Sequence, residues 1–486
     1  MQKVWSISGR SIAVSALALA LTACQSMRGP EPVAQANIPE QGYLTASSGP
    51  SIAEQGYKDF FADQRLLQVL DLALANNRDL RISTLNIQRA QQQYQITQNN
   101  QLPTIGASGS VLRQDTLTSN GAQTNYNVGL GVTAYELDFW GRVRSLKDNA
   151  LDTYLATSSA RDATQIALVG QVAQAWLDYS FANANLRFAE DTLKTQLESY
   201  NLNRKRFDVG IDSEIPVRQA QISVETARND VANYKTQIAQ AQNLLNLLVG
   251  QAVPANLLPV QRVTRITTNN ALTAGLPSDL LTNRPDIRAA EYQLSAAGAN
   301  IVAAKARLFP TISLTGNAGY ASTSLSDLFK SGGFVWSFGP SIDLPIFDWG
   351  TRQANIKISE TDQQIALSDY ERSIQSAFRE VNDALAVRQN IGDRLAAQRR
   401  LVDATNTTYR LSNARFRAGI DSYLSVLDAQ RTSYTAEQGL LLLEQANMNN
   451  QIEIYKTLGG GIKANTSDVV IQPASTAEQK AANSAE

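Results

Sequence analysis

The octapeptide at residues 206–213 reads RFDVGIDS, and a nearly identical octapeptide, RFRAGIDS, follows at residues 415–422. A second pair of similar segments, LPTI at residues 102–105 and FPTI at residues 309–312, recurs in the same order at almost the same spacing. Solenoid repeats have periods of only about 20 to 50 residues, so this much longer period indicates duplication of a domain-sized unit. The sequence therefore predicts an internal two-fold repeat.

A long helix leads into each octapeptide. Residues 141–209 and 350–418 contain no proline, and apolar side chains recur every seven residues within them, with Arg388 as the exception in the second segment. A sustained heptad pattern indicates helices that supercoil around one another with a left-handed twist. At a rise of about 1.5 Å per residue, each of these helices would extend about 100 Å.

Each octapeptide also predicts a turn into a returning helix. Gly210 and Gly419 suit the left-handed residue that ends a helix. Asp212-Ser213 and Asp421-Ser422 suit the N-terminal cap of the helix that follows. Besides the two long helices, the sequence predicts helices at residues 78–101, 213–249, 285–308 and 422–458.

Four segments alternate apolar and polar residues with a period of two, at residues 104–112, 126–134, 311–320 and 334–342. A strand of about 9 to 11 residues is long enough to cross a bilayer obliquely. Taken alone, however, these segments favour half-buried hairpins in a soluble sheet. Beyond the N-terminal segment, no uninterrupted apolar run has the length of a membrane-spanning helix, so a crossing would have to be made by strands.

The first 24 residues predict a lipoprotein signal. Lys3 and Arg10 precede an uncharged run at residues 12–21, and the sequence LTAC ends at Cys24, the only cysteine. This pattern is typical of signal peptides that are cleaved before a cysteine destined for lipidation. An ordinary cleavage site beside a chance cysteine is the alternative. Lipid on Cys24 would anchor the chain to a membrane, which favours the membrane interpretation of the four alternating segments.

These features divide the chain into six predicted regions. The N-terminal regions are a signal peptide (1–23) and a lipidated tether (24–58). A first repeat (59–250) contains a strand hairpin (104–138) and a helical hairpin (141–249), and an equatorial inter-repeat segment (251–284) follows it. A second repeat (285–459) contains a strand hairpin (311–346) and a helical hairpin (350–458), and the chain ends in an equatorial or disordered tail (460–486).

Composition excludes several functional classes. The 486 residues include 43 Lys and Arg, 44 Asp and Glu, one Cys and no His. Nucleophilic catalysis that depends on histidine, and zinc or haem ligation by histidine, are therefore excluded. The net charge of −1 argues against a nucleic-acid-binding surface. No catalytic residue, metal site or cofactor is predicted apart from the covalent lipid, and an enzyme that uses carboxylates alone has no supporting cluster.

Several motifs resemble one known family. They are the Cys24 segment, YELDFWGR at residues 135–142, NRPDI at 283–287, PIFDWG at 345–350 and the segment 419–431. In this order they resemble the outer-membrane efflux proteins, which are TolC-like, and within them the lipidated OprM-like branch that serves resistance-nodulation-division multidrug pumps. The resemblance covers nearly the whole mature chain.

The resemblance implies a fold that combines a transmembrane β-barrel with an α-helical tunnel. Three chains, each with four strands and long coiled-coil-like helices, would form a twelve-stranded barrel in the outer membrane of a Gram-negative bacterium and an α-helical barrel that extends into the periplasm. Strand number independently favours an oligomer, because four strands cannot close a barrel and twelve leave a narrow pore. The implied function is a gated exit channel for drug efflux, without enzymatic activity. The implied partners are a periplasmic membrane-fusion adaptor and an inner-membrane pump.

The resemblance also implies two sets of site residues. Leu424 and Asp428 match positions that ring the periplasmic aperture, and Arg431 matches a position available for a latch. These three lie on one helix face by their spacing. Taken alone, Asp428 and Arg431 would be interpreted as a solvated pair on a helix. The predicted adaptor contacts are the two tips of the helical hairpins, formed by Val209, Gly210 and Ile211 and by Ala418, Gly419 and Ile420.

Two alternatives to drug efflux remain open at this stage. One is an outer-membrane channel for type I protein secretion. The other is a periplasmic coiled-coil lipoprotein that does not conduct, although such a protein would leave the four alternating segments without a role.

Overall fold

The computed structural model describes residues 55–115, 121–259, 261–268 and 283–461. The helices are α1 (Tyr57–Phe60), α2 (Gln64–Asn76), α3 (Arg78–Asn99), α4 (Arg142–Asp208), α5 (Glu214–Val249), α6 (Pro285–Ala306), α7 (Thr351–Arg417) and α8 (Tyr423–Thr457). The strands are β1 (Ile105–Gln114), β2 (Gln123–Glu136), β3 (Thr311–Ser322) and β4 (Phe334–Asp343). Short 3₁₀ helices lie at Ala255–Leu257 and Leu325–Asp327.

The described chain divides into two compact units. The strand unit contains residues 85–159 and 288–373, and the helical unit contains residues 55–84, 160–287 and 374–461, apart from the gaps given above. Long helices α4 and α7 have 67 residues each, which corresponds to about 100 Å at about 1.5 Å per residue. None of the helices in the described ranges combines the length and the apolarity of a membrane-spanning helix.

The strand unit contains one antiparallel sheet in the order β1-β2-β3-β4. Its registers pair Ile105 with Val132 in the first hairpin and Thr311 with Asp343 in the second. Every residue of β1 and of β4 is exposed in the single chain. Because β1 and β4 are the two edges of the sheet, each has one side without a strand partner among the residues that the structure describes.

A bulge interrupts the pairing of β2 with β3. The register shifts between Val132 and Tyr135, and Ala134 has a positive φ of 52°. The backbone N–H of Ala134 donates to the Thr315 hydroxyl at 3.2 Å. Such bulges bend a strand and change the face on which later residues lie, so the predicted alternation at residues 126–134 does not extend through its last residue.

The helical unit has its core around two aromatic groups. Trp176 is fully buried and its indole N–H donates to the Leu257 carbonyl at 3.0 Å. Phe60 and Phe61 pack on Tyr455 with ring centroids 4.5 and 5.7 Å apart. These contacts fix the segments that connect the helices.

Arg284, from the NRPDI motif, bonds to three other residues of the helical unit. Its guanidinium contacts the Asp286 carboxylate at 2.6 Å and the Glu380 carboxylate at 2.9 Å, and it donates to the Thr457 carbonyl at 3.2 Å. Although burial opposes its charge most strongly, these acidic neighbours keep the pKa of Arg284 above its ordinary value. The motif therefore joins α7 and the end of α8 to the start of α6.

The helices and strands lie within about two or three residues of their predicted positions, with two differences at the ends of the repeats. The buried Tyr57 belongs to α1, and α2 lies where no helix was expected. Gly460 and Gly461, the first residues of the predicted C-terminal tail, are also buried. The remaining region boundaries stay predictions.

Candidate functional site: the tips of the helical hairpins

Glycine forms the same turn at the end of both long helices. In α4 the Gly210 N–H donates to the Phe207 carbonyl and the Ile211 N–H to the Arg206 carbonyl, both at 2.8 Å. In α7 the corresponding bonds from Gly419 and Ile420 measure 2.9 and 3.0 Å. The two glycines have φ of +79° and +75°, the left-handed conformation that a glycine adopts most readily.

This turn leaves apolar side chains in solvent. Val209, Ile211 and Ile420 are each about two thirds exposed, and Ala418 is also exposed. A Cβ atom built on Gly210 or Gly419 would meet no other atom within 4 Å. The predicted adaptor-contact residues thus form two exposed apolar tips.

The returning helices begin at the predicted positions, without the side-chain capping bonds expected there. Ser213 and Ser422 occupy the N-cap positions of α5 and α8, but neither side chain makes a capping hydrogen bond. The aspartates of the octapeptides instead bind arginines of the same octapeptides, with Arg206 to Asp212 at 2.5 Å and Arg415 to Asp421 at 2.6 Å. The hydrogen bond from Arg415 is the main reason that the pKa of Asp421 lies below its ordinary value.

A small apolar cluster beneath the tips joins the two hairpins. Its buried members are Ala220, Phe416, Tyr423, Val426 and Leu427, and Tyr200 and Tyr409 pack against it. The Arg206 guanidinium of the first hairpin lies 5.1 Å from the centroid of the Phe416 ring in the second. Burial raises the pKa of Tyr423 to about 12, so its hydroxyl is neutral at physiological pH.

The three predicted gate residues lie on one exposed face of α8. Leu424 is 58% exposed, and Asp428 and Arg431 are exposed beside it. Neither charged side chain forms an ion pair with another described residue. The opposite face of the same helical segment is buried in the apolar cluster, and among the described residues this face is open to solvent.

The first hairpin carries no charge at the equivalent positions. By the repeat, Gln219 corresponds to Asp428 and Ile222 to Arg431, and Ile222 is 58% exposed. The charged pair is therefore a property of the second hairpin alone.

A polar network that sequence reasoning missed lies further along α8. The Tyr434 hydroxyl donates to the Asp230 carboxylate of α5 at 2.8 Å, and the Gln438 amide donates to the Tyr234 hydroxyl at 3.1 Å. Tyr434 also stacks on Phe188 of α4 with ring centroids 5.0 Å apart. Burial and then the bond to Asp230 raise the pKa of Tyr434. The partner of Tyr434 on α5 has no signal in the sequence.

Two further sequence predictions concern lipidation and metal binding. Cys24, the predicted lipidation site, lies outside the described residues. No group of three or more His, Cys, Asp or Glu side chains within the described ranges is arranged to hold a metal ion.

This chain is similar in sequence to proteins of known families. The family model for outer membrane efflux proteins matches residues 69–251 and 276–460. The toluene efflux pump outer membrane protein TtgC of Pseudomonas putida is 43% identical over 428 residues, which cover 86% of this chain and 87% of the relative. The cation efflux system protein CusC of Escherichia coli is 39% identical over 457 residues, which cover 92% of this chain and 98% of the relative.

The solved structure of the open state of the MtrE outer membrane channel of Neisseria gonorrhoeae has the same fold. Its TM-score is 0.82 at 37% identity, and the match covers 89% of this chain and 98% of that chain. The prediction of four strands and long helices in two repeats is confirmed, and this fold is that of the trimeric outer-membrane efflux channels. Since the family match includes both repeats and the relatives align over most of their length, the chain belongs to the outer membrane efflux protein family.

Proposed function

We propose that this chain, as a homotrimer, is the exit channel of a tripartite efflux system. It resides in the outer membrane of a Gram-negative bacterium and extends into the periplasm. It receives small molecules from an inner-membrane pump through a periplasmic adaptor and conducts them to the exterior. It performs no chemical step of its own.

The exposed face of Leu424, Asp428 and Arg431 is the observation that carries the gating part of this proposal. A helix that buries one face in the chain and leaves Leu, Asp and Arg exposed on the other is suited to line an aqueous constriction. Three copies of Asp428 around one axis would repel one another and attract cations. The closed state would then depend on apolar contact from Leu424 and on polar contacts from Arg431.

The two open edges of the sheet support the trimer. One chain supplies four strands, with β1 and β4 unpaired on their outer sides. Joining β4 of one chain to β1 of the next removes both edges, and three chains give twelve strands with room for a narrow pore.

The apolar tips support an adaptor as the periplasmic partner. Exposed Val209, Ile211 and Ile420 would be covered when an adaptor docks, which would favour binding through burial of apolar surface. Lipid on Cys24 is the proposed anchor at the N-terminal end of the chain.

Relatives of similar identity carry names that refer to different cargo. TtgC is named for toluene and CusC for cations. We infer that the tunnel of this chain does not select cargo as a binding pocket would and that the inner-membrane pump sets the substrate range.

Complementation tests this function in the cell. A strain that lacks the gene should accumulate a fluorescent dye and become sensitive to antibiotics, and the full chain should restore dye efflux. Restoration of protein secretion without dye efflux would instead favour a type I channel. Failure to restore either, despite a correctly inserted trimer, would overturn the proposal.

A further inference from the structure

Two tryptophans occupy equivalent places in the two repeats. Trp140 lies two residues before the start of α4, and Trp349 lies two residues before the start of α7. Each is followed by a glycine with positive φ, Gly141 at +75° and Gly350 at +86°. The repeat therefore presents one structural position twice, and the two copies can be compared.

Trp140 has a complete environment within the chain. Its ring stacks on Phe309 with centroids 4.7 Å apart and an interplanar angle of 20°. Its indole N–H donates to the Pro310 carbonyl at 2.8 Å. Phe309 and Pro310 directly precede β3, and β3 pairs with β2, the strand that leads to Trp140. Thus Trp140, which follows β2, packs on the residues that precede the neighbouring strand β3.

Trp349 has no such environment within the chain. It follows β4, an edge strand, and it is 88% exposed. Its indole makes no hydrogen bond with any other described residue. Phe347, which is 71% exposed, meets its ring edge to face at 4.5 Å, and Ile346 is 91% exposed. The three side chains form an exposed apolar group, here called the β4 exit cluster.

The backbone of Trp349 is also unusual. Its φ of +55° lies in the left-handed region, which bulky side chains rarely adopt. Trp140 does not have a positive φ. In the second repeat Asp348 directly precedes the tryptophan and accepts hydrogen bonds from the N–H groups of Gly350 and Arg352, both at 3.1 Å. These bonds hold the turn that presents the indole to the outside.

The receiving residues have an equivalent at the other edge of the sheet. The FPTI segment corresponds to LPTI, so Leu102 and Pro103 correspond to Phe309 and Pro310. They precede β1, and Leu102 is 65% exposed. The chain therefore has an uncovered tryptophan at one edge and an unoccupied receiving site at the opposite edge.

We propose that Trp349 of one protomer packs on Leu102 and Pro103 of a second copy of this chain. Its indole N–H donates to the carbonyl of the partner's Pro103. This contact reproduces between chains the one that Trp140 makes within a chain. The inference rests on the proposed trimer and goes beyond it, because it names the side chains that select which edges join.

This contact explains why the edges join in one direction. If two β4 edges came together, their two tryptophans would lie side by side. Neither would contact residues equivalent to Phe309 and Pro310. Only β1 is preceded by Leu-Pro, so each β4 edge selects a β1 edge. A head-to-tail interface of this kind closes into a ring when the rotation between neighbours permits it. The β4 exit cluster would thereby specify ring assembly and cover an otherwise exposed edge.

A lipid surface is the competing occupant, because tryptophan is enriched where membrane proteins meet the interface of the bilayer. Photocrosslinking separates the two. Benzoylphenylalanine is placed at position 349 of the full chain, and membranes that contain the protein are irradiated. We expect chains joined to one another, with the adduct mapped to the peptide that contains Leu102 and Pro103. Adducts to lipid alone, or to another part of the chain, would overturn the inference.

The matched control places benzoylphenylalanine at position 140. This probe should crosslink within the chain to the peptide that contains Phe309 and Pro310, without joining two chains. The mass of the assembly before irradiation reports separately on the trimer. If no trimer is present, the proposed function fails. If the trimer is present and the probe at 349 reaches only lipid, this inference alone fails.

A double-mutant cycle tests the contact by energetic coupling. Trp349→Ala and Leu102→Ala should each lower the temperature at which trimers dissociate in detergent. The double variant should lose little more than the more affected single variant, because each substitution removes the same contact. Trp140→Ala combined with Leu102→Ala is the control and should show additive losses. Additive losses for Trp349 and Leu102 would contradict the proposal.

Discussion

At the scale of single residues, the exposed face of α8 decides whether the hairpin tip can act as a gate. Among the described residues, Leu424, Asp428 and Arg431 have no ion-pair or core role, and the side chains behind them are buried. Replacing them should therefore change the aperture and leave the fold intact, since surface substitutions usually alter the free energy of unfolding by less than about 0.5 kcal/mol.

We predict that Leu424→Ala and Arg431→Ser raise the single-channel conductance of the isolated trimer, because each removes a group proposed to narrow or latch the aperture. Asp428→Ala should weaken cation preference, because it removes a ring of negative charge. Planar bilayers measure both properties. Ile222→Ala, on the first hairpin at the position equivalent to Arg431, is the control and should behave like the unmodified chain. Unchanged conductance and selectivity in all three gate variants would place these residues outside the tunnel.

Residue types predicted the turns of the tips correctly but not the partners of the polar side chains. Gly210 and Gly419 adopt the left-handed conformation that their sequence context predicts. The Asp421 carboxylate could accept hydrogen bonds either from the N-terminus of α8 or from a guanidinium. It accepts two hydrogen bonds from the charged guanidinium of Arg415, six residues earlier. Sequence spacing did not decide between the two because both partners are local.

At the scale of helices and strands, polar contacts between returning helices connect the two hairpins. Tyr434 on α8 joins Asp230 on α5 by a hydrogen bond and joins Phe188 on α4 by stacking. The raised pKa of the Tyr434 hydroxyl keeps it protonated, so it remains a donor throughout the neutral range.

We predict that Tyr434→Phe lowers the free energy of unfolding by about 1 kcal/mol, because it keeps the stacked ring and removes one hydrogen bond. The midpoint of thermal loss of helical circular dichroism reports the change. Thr435→Ala removes an exposed hydroxyl that donates to the Arg431 carbonyl at 3.0 Å and is the control, with a much smaller expected effect. A midpoint for Tyr434→Phe equal to that of the unmodified chain would contradict a stabilising role.

The glycines of the tips give a prediction about adaptor docking. Gly210→Leu or Gly419→Leu should abolish efflux while leaving the trimer intact, because a bulky side chain strains the left-handed turn and alters the docking surface. Dye efflux and native mass measure the two outcomes. Gly→Asn at the same positions is the matched control, because asparagine tolerates this conformation and keeps the turn. Normal efflux in both leucine variants would place the adaptor contact elsewhere.

Periodicity predicted the long helices and the strands because the seven-residue and two-residue patterns persist over many residues. Helix α2 was not predicted, because its 13 residues adjoin α3 and are too few to show a clear helical periodicity. Its N-terminal cap is Asp63, whose side chain accepts from the Arg65 N–H at 2.8 Å. The bulge at Ala134 likewise depends on pairing with β3, a partner distant in sequence. Long-range packing decides such features, and one sequence carries little signal for them.

At the scale of the whole molecule, membrane attachment is proposed to begin at Cys24. We predict that Cys24→Ser removes the lipid and leaves much of the protein soluble or misdirected. Mass spectrometry of the mature N-terminus and fractionation of membranes measure the two effects. The unmodified chain, processed in the same cells, is the control. An unmodified thiol, or cleavage at another position, would contradict the lipoprotein prediction.

The number of predicted strands also indicated that one chain would not complete a barrel. Four strands leave two edges, and the exposed apolar residues of β4 and of the hairpin tips require contacts that one chain does not supply. Which chains supply these contacts is not encoded in any pattern along one sequence, because the relevant distances run between molecules. The internal repeat is the exception, since Trp140 provides within the chain a template for a contact between chains.

Single-channel recording of the purified trimer in planar bilayers shows whether this chain forms a conducting channel. We expect discrete, uniform conductance steps with a preference for cations, produced by the trimer without adaptor or pump. A correctly folded trimer that inserts into the bilayer and carries no current, even with Leu424→Ala in the aperture, would contradict the assignment of this chain as an exit channel.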